Sequence, residues 1–239
     1  MTNFPRYAIY YAAESGSALD RFGRQVIGYD AYSGDEPRFP ESLADAVPDW
    51  RDLTADPRQY GFHATLKAPM ALSPGADLAS LRAACAGFAD APRSIPRIKP
   101  LVDSIGGFIA VVPAAPSADL QQLAADCVRA FDGFRATLSA ADRARRNPEA
   151  LTPRQRAHLD RWGYPYVMED FRFHMTLTGR LAAERREPML ALLRQSFGAT
   201  GIETLEIDRI ALFHQADAGS RFRVIDSWKL RGSASIAVL

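Results

Sequence analysis

Residues Tyr60–Pro69 read YGFHATLKAP, and residues Phe171–Arg180 read FRFHMTLTGR. Both contain Phe-His-x-Thr-Leu: Phe62-His63-Ala64-Thr65-Leu66, then Phe173-His174-Met175-Thr176-Leu177. The chain has only 4 histidines, so two of them share one frame. Side chains alternate along a strand. Each copy therefore sets a histidine and a threonine on one face and three apolar side chains on the other. The apolar face can pack under helices. The polar face is free for a ligand.

Reading outward, the two surroundings match in order. In the first half the motif strand is followed by a helix over ADLASLRAACAGFAD, with Leu78, Leu81, Cys85 and Phe88 at helical spacing. Two β-rich runs about Gly106-Gly107 then predict a hairpin. In the second half, AERREPMLALLRQSFG predicts a helix that Pro188 interrupts or restarts, and two strands flank ADAGS. Phe108 and Phe222 follow their respective histidines at nearly equal spacing. This is the signature of a diverged internal duplication of a mixed α/β unit. An aromatic strand opens the chain at Arg6–Ala12, and a short helix follows Ser17. Residues 30–58 read as loop, broken by Pro and Gly. A long amphipathic helix begins after Ser117, and Thr152-Pro153 starts another that stops at WGYP. SAADRARRNPEA reads as a solvated connector, and the closing GSASIAVL as a tail.

If a pseudo-twofold axis relates the two units, their polar faces meet across a groove. Two imidazoles on opposite sides of a phosphorus suit in-line displacement. One, neutral, accepts a proton from the attacking water. The other, as imidazolium, donates one to the leaving oxygen. The hydroxyls of Thr65 and Thr176 can donate to the non-bridging oxygens. This chemistry requires no metal and no cofactor.

Two His-x-Thr motifs in a pseudo-duplicated chain resemble the two-histidine phosphoesterases, the LigT-like or cyclic phosphodiesterase superfamily. The similarity runs from about Arg6 to Leu230. The resemblance implies an α+β, bilobal, pseudo-duplicated LigT-like fold: two antiparallel sheets flanked by helices around a central cleft. It makes residues 1–239 one domain, with motifs at 61–67 and 172–178, and gives His63, Thr65, His174 and Thr176 the catalytic positions. RYAIYYA, WGYPYV and FRVIDSWKL are similar to a narrower branch tied to phosphonate breakdown, which implies ribose 1,2-cyclic 5-phosphate as substrate. A nucleoside 2′,3′-cyclic phosphate is the other small substrate in view.

Strict alternation places Lys67 beside His63 and Arg172 beside His174, where both can hold a second phosphate. Arg6, Tyr10, Tyr164, Tyr166, Arg221 and Arg223 lie on flanking segments, and Tyr10 and Tyr164 are assigned to the substrate. His158 and His214 read as structural or surface residues.

The whole chain sets bounds on these readings. Its 239 residues can bury a real core, and 47% apolar with 24% charged residues is a globular balance. A net charge of +1 speaks against a long polyanion as partner, so nucleic acid is possible but not favoured. No apolar run suits a membrane span, and the opening residues lack a signal-peptide pattern. With Cys85 and Cys127 as buried thiols, a cytoplasmic protein is expected. Three other readings compete: an enzyme acting on RNA ends, supported by Arg143–Arg146; a non-catalytic phosphometabolite-binding protein; and a metal site built on the two histidines.

Overall fold

The computed structural model describes residues 4–233, so most of the GSASIAVL tail lies outside the described residues. The first half runs β1 (Arg6–Tyr11), α1 (Ala18–Ile27), three short helices α2 (Glu41–Ala44), α3 (Trp50–Leu53) and α4 (Ala55–Tyr60), β2 (Ala64–Met70), α5 (Leu78–Asp90), β3 (Arg97–Ile98), β4 (Pro100–Ile105) and β5 (Phe108–Pro113). Helix α6 (Ala118–Phe131) crosses to the second half. There follow α7 (Ala140–Ala144), α8 (Pro153–Trp162), β6 (Met175–Thr176), α9 (Ala183–Gly198), β7 (Leu205–Glu206), β8 (Arg209–Gln215) and β9 (Arg223–Lys229).

The strands form a four-stranded antiparallel sheet in the order β2-β1-β8-β9, a three-stranded antiparallel sheet β4-β5-β6, and a small β3-β7 pair. The expected α+β architecture of antiparallel sheets flanked by helices holds. Its connectivity carries a twist that periodicity does not reveal. The hairpin of each half joins the motif strand of the other: β4-β5 of the first half pairs with β6, while β8-β9 of the second half sits in the sheet of β2. Helix α5 packs on β8 and β9, α6 on β2, and α9 on β4 and β5.

The apolar faces behave as alternation predicts. Phe62, Ala64, Leu66, Phe173, Met175 and Leu177 are all buried. Burial of a large apolar side chain contributes roughly 1.5–3 kcal/mol. Helix ends follow their local chemistry. Ser17, Ser117 and Thr152 each accept a backbone N–H of their helix, and Gly28 and Gly163 close α1 and α8 in the left-handed conformation. Pro188 sits inside a continuous α9.

Two expectations change. Residues 41–60 hold three short helices, each too brief for a periodic signal. The second motif strand shrinks to Met175–Thr176, paired with Val111 and Ala110; beyond it the Leu177 and Thr178 N–H groups both turn to the Ile109 carbonyl and regular pairing ends.

One tight contact ties α1 to the first motif. A Cβ added at Gly23 would run into the Phe62 ring. Glycine to alanine within a helix ordinarily gains about 1 kcal/mol. Here Gly23→Ala is expected instead to destabilise by about 1–3 kcal/mol through overpacking. A lowered Tm shows it; a raised Tm contradicts the contact.

Candidate active site

Both motif histidines are held the same way. His63 Nδ1 lies 2.8 Å from the Gly61 carbonyl oxygen, and His174 Nδ1 lies 2.7 Å from the Arg172 carbonyl oxygen. A carbonyl can only accept, so Nδ1 carries the hydrogen in both rings, and each Nε2 presents a lone pair. In the first motif that Nε2 faces Thr65 Oγ1 at 3.4 Å. The carbonyl of residue i−2 thus sets tautomer and ring orientation together. The backbone at Gly61 has φ 80, and a Cβ there would come 2.7 Å from Ala31 Cβ, so only glycine fits that turn.

His63 is further fixed by stacking. The Tyr10 ring lies over it with centroids 3.8 Å apart and planes at 22°, and the Tyr60 ring is 6.1 Å away. The Phe108 ring stands 5.6 Å from His174. Phe222 stacks on Tyr60 at 5.3 Å. The exchange of hairpins appears here again: Phe108 serves the histidine of the second half, and Phe222 buttresses that of the first.

Burial pushes the His63 pKa down to about 4; the Gly61 carbonyl pulls it back in part, and the His174 charge lowers it further. That last effect couples the two rings electrically. Burial also lowers the pKa of His174, opposed by the Arg172 carbonyl, but the shift is smaller.

A cleft of about 540 Å³ opens at this place, within the usual range of ligand cavities. Thr65, Phe108, Tyr164, Arg172, His174 and Arg180 are among its walls. The structure therefore brings Thr65 and His174 onto one cavity, with His63 reaching it through Thr65. Thr176 stands off the lining, half-buried, with its backbone in the ladder opposite Ala110. Tyr164 and Arg172 are on the walls.

Two assignments are corrected. Lys67 is not a cleft residue. Its side chain is 3% exposed, and Nζ donates to Asp132 at 2.6 Å. The cause is a bulge: Tyr10 pairs with Thr65 and Ile9 with Lys67, so Leu66 is an extra residue and alternation fails beyond Thr65. Tyr10 is not on the substrate wall either. It is 1% exposed and lies behind His63.

Sequence reasoning missed Tyr60, Arg180 and the two anchoring carbonyls. The repeated i−2 position before each histidine was the available signal for the carbonyls. Among the described residues no three His, Cys, Asp or Glu side chains gather closely enough to hold a metal ion, and no helix is long and apolar enough to cross a membrane.

Comparison with known proteins adds a family. A family model described as "Protein of unknown function (DUF1045)" matches residues 65–223. The chain belongs to this family. It thereby joins the DUF1045 proteins, to which the first motif threonine and the whole second motif align.

Two curated relatives are similar along nearly all of the chain. The ribose 1,5-bisphosphate phosphokinase PhnN of Janthinobacterium sp. (strain Marseille) is 34% identical over 231 residues, covering 91% of this chain and 49% of that protein. The protein of the same name from Laribacter hongkongensis (strain HLHK9) is 32% identical over 230 residues, covering 92% and 50%. The chain spans about half the length of these relatives. Among solved structures, E. coli LigT complexed with 3′-AMP matches with a TM-score of 0.41 at 11% identity, over 95% of this chain and 98% of that one. A crystal structure of a phosphoesterase matches with a TM-score of 0.43 at 10% identity, over 96% and 99%.

Proposed function

We propose that this DUF1045 protein is a metal-independent phosphodiesterase that opens a small cyclic phosphate of ribose by paired-imidazole catalysis. The observation that carries the reading is the matched anchoring of the two rings. Each Nδ1–H is spent on a carbonyl, which leaves Nε2 as the nitrogen for proton transfer, that of His63 beside the Thr65 hydroxyl.

His63, whose pKa is the more depressed, is the general base. His174 is the general acid. Water attacks phosphorus as His63 Nε2 takes its proton. The bond from phosphorus to the leaving ester oxygen breaks as His174 Nε2 protonates that oxygen, and a phosphate monoester results. The Thr65 hydroxyl, on the cleft wall, steadies a non-bridging oxygen, and Thr176 is assigned the same part for the second motif.

The curated relatives are named for a ribose bisphosphate, which supports a ribose phosphate as the substrate class. Their phosphokinase reaction is not carried over. The chain has no Gly-Lys pair and so lacks the glycine-rich lysine loop by which P-loop enzymes hold nucleotide phosphates.

The test is hydrolysis in excess chelator of ribose 1,2-cyclic 5-phosphate and the four nucleoside 2′,3′-cyclic phosphates, followed by phosphorus NMR. Appearance of a monoester is expected from at least one of them. No turnover of any would overturn the reading.

The pH dependence follows from the two shifts. The productive free enzyme has one proton on the histidine pair, and that form dominates between a pKa of about 4 and that of His174, which lies below its ordinary 6.5. With a nucleoside 2′,3′-cyclic phosphate, whose diester does not titrate in this range, kcat/KM is expected to peak on the acid side of neutrality. Above the His174 pKa it should fall about tenfold per pH unit. A flat profile from pH 6 to pH 8 would contradict catalysis by the singly protonated histidine pair.

A further inference from the structure

A second cavity, of about 230 Å³, adjoins the cleft. Ala68 lines both cavities. Tyr60 lines the second one and stands 6.1 Å from His63, ring to ring. Arg146, on the wall of the second cavity, lies over the ring of Tyr164, a cleft residue, at 5.0 Å.

The walls of this cavity are cationic. Arg6, Arg135, Arg145 and Arg146 line it, against the single carboxylate of Asp142. Two of these charges are already matched: Arg135 pairs with Asp132 at 2.9 Å, and Arg145 pairs with Asp142. The other two are not. Arg6 donates to the neutral amide of Gln215, and Arg146 has only the tyrosine face. Among the described residues neither has a carboxylate partner. Burial lowers the Arg6 pKa, and the charges of Arg145 and Arg146 add to the effect. A guanidinium still stays protonated at neutral pH. Two unmatched positive charges facing one small cavity favour an anion between them, and the fork geometry of arginine suits a phosphate.

We infer that this arginine cavity binds a phosphate monoester at the far end of a small sugar substrate whose cyclic phosphate lies at the histidines. The inference rests on the proposed reaction for the identity of the near group. It selects, among the small cyclic phosphates, those carrying a second and dianionic phosphate. The volume is below the roughly 300–1,000 Å³ of a complete ligand site, as suits one end of a ligand that spans two cavities. It also gives Arg146 of the basic connector a role, whereas Arg143 is paired with Asp160. Ser139 caps α7, and the end of that short helix places Arg145 and Arg146 on the cavity wall.

The test needs no turnover, so it can fail independently of the proposed reaction. Ribose 5-phosphate and ribose are titrated by calorimetry into wild type, Arg6→Gln, Arg146→Gln, Arg146→Lys and the double variant His63→Ala/His174→Ala. Wild type and the histidine variant are expected to bind ribose 5-phosphate alike, and ribose at least tenfold more weakly. Each glutamine variant should lose roughly 10–100-fold in affinity, and Arg146→Lys should recover part of it. Far-ultraviolet circular dichroism confirms that the variants are folded. Absence of ribose 5-phosphate binding to wild type would overturn the inference. So would affinity kept in both glutamine variants, or affinity lost only with the histidines.

Discussion

His63→Ala or His174→Ala is expected to lower kcat for cyclic phosphate hydrolysis by roughly 10²–10⁴-fold, the usual contribution of a positioned acid or base. The double variant should be little worse than either single one, because two groups that act in one proton cycle are not additive. The two positions differ in what else they do. His63 is stacked on Tyr10, and its loss leaves a hole beside that buried ring. His63→Asn is the better partner variant there, since its side-chain amide can still donate to the Gly61 carbonyl. It should keep the wild-type Tm while remaining inactive. Single-turnover assays of purified variants in excess chelator decide the matter. More than a tenth of wild-type activity in either alanine variant would remove the paired-imidazole mechanism.

Asp132→Ala is expected to destabilise the fold by about 3–5 kcal/mol and to lower Tm by on the order of 10 °C. The reason is the ammonium it abandons. Lys67 is 3% exposed, its Nζ is 2.6 Å from Asp132 Oδ1, and its remaining contact is the Val128 carbonyl. Burial pushes the Lys67 pKa down, and only the Asp132 carboxylate pulls it back. Burial alone would raise the Asp132 pKa, but Arg135 and Lys67 overcome that and hold it below the ordinary value. The pair is not symmetric. Lys67→Met removes one charge and leaves Asp132 with Arg135 at 2.9 Å and Arg161 at 3.4 Å. That variant should stay within about 1.5 kcal/mol of wild type, as volume-conserving core changes do. Adding Lys67→Met to Asp132→Ala should restore most of the loss. Thermal and denaturant unfolding of the three variants measure it, and equal damage from the two single changes would contradict the account.

The legible parts of this fold were those fixed by short-range rules. The first motif strand, the capped helices after Ser17, Ser117 and Thr152, and the hairpin at Gly106-Gly107 each follow from local periodicity and local turn chemistry. The anchored histidines were legible as a repeated frame. What escaped was set at longer range. The bulge at Leu66 reverses the facing of Lys67, and no pattern in the strand itself announces it. Tyr10 faces the histidine as alternation allows, yet Phe213 and Phe222 pack on it from distant segments. Arg146 reads as a solvated residue until α8 and β1 supply the other walls of its cavity. Strand partners across the two halves were likewise invisible, since pairing is a property of the assembled sheets and not of any one strand.

The exchanged hairpins bear on how such a chain can come into being. Neither repeat closes its own sheet. β1 and β2 wait for β8, and β4-β5 wait for β6. Pairings so distant along the chain must meet loop-closure entropy before they return any stability, and this slows folding. On the ribosome, the first motif strand therefore emerges long before the hairpin that completes its sheet.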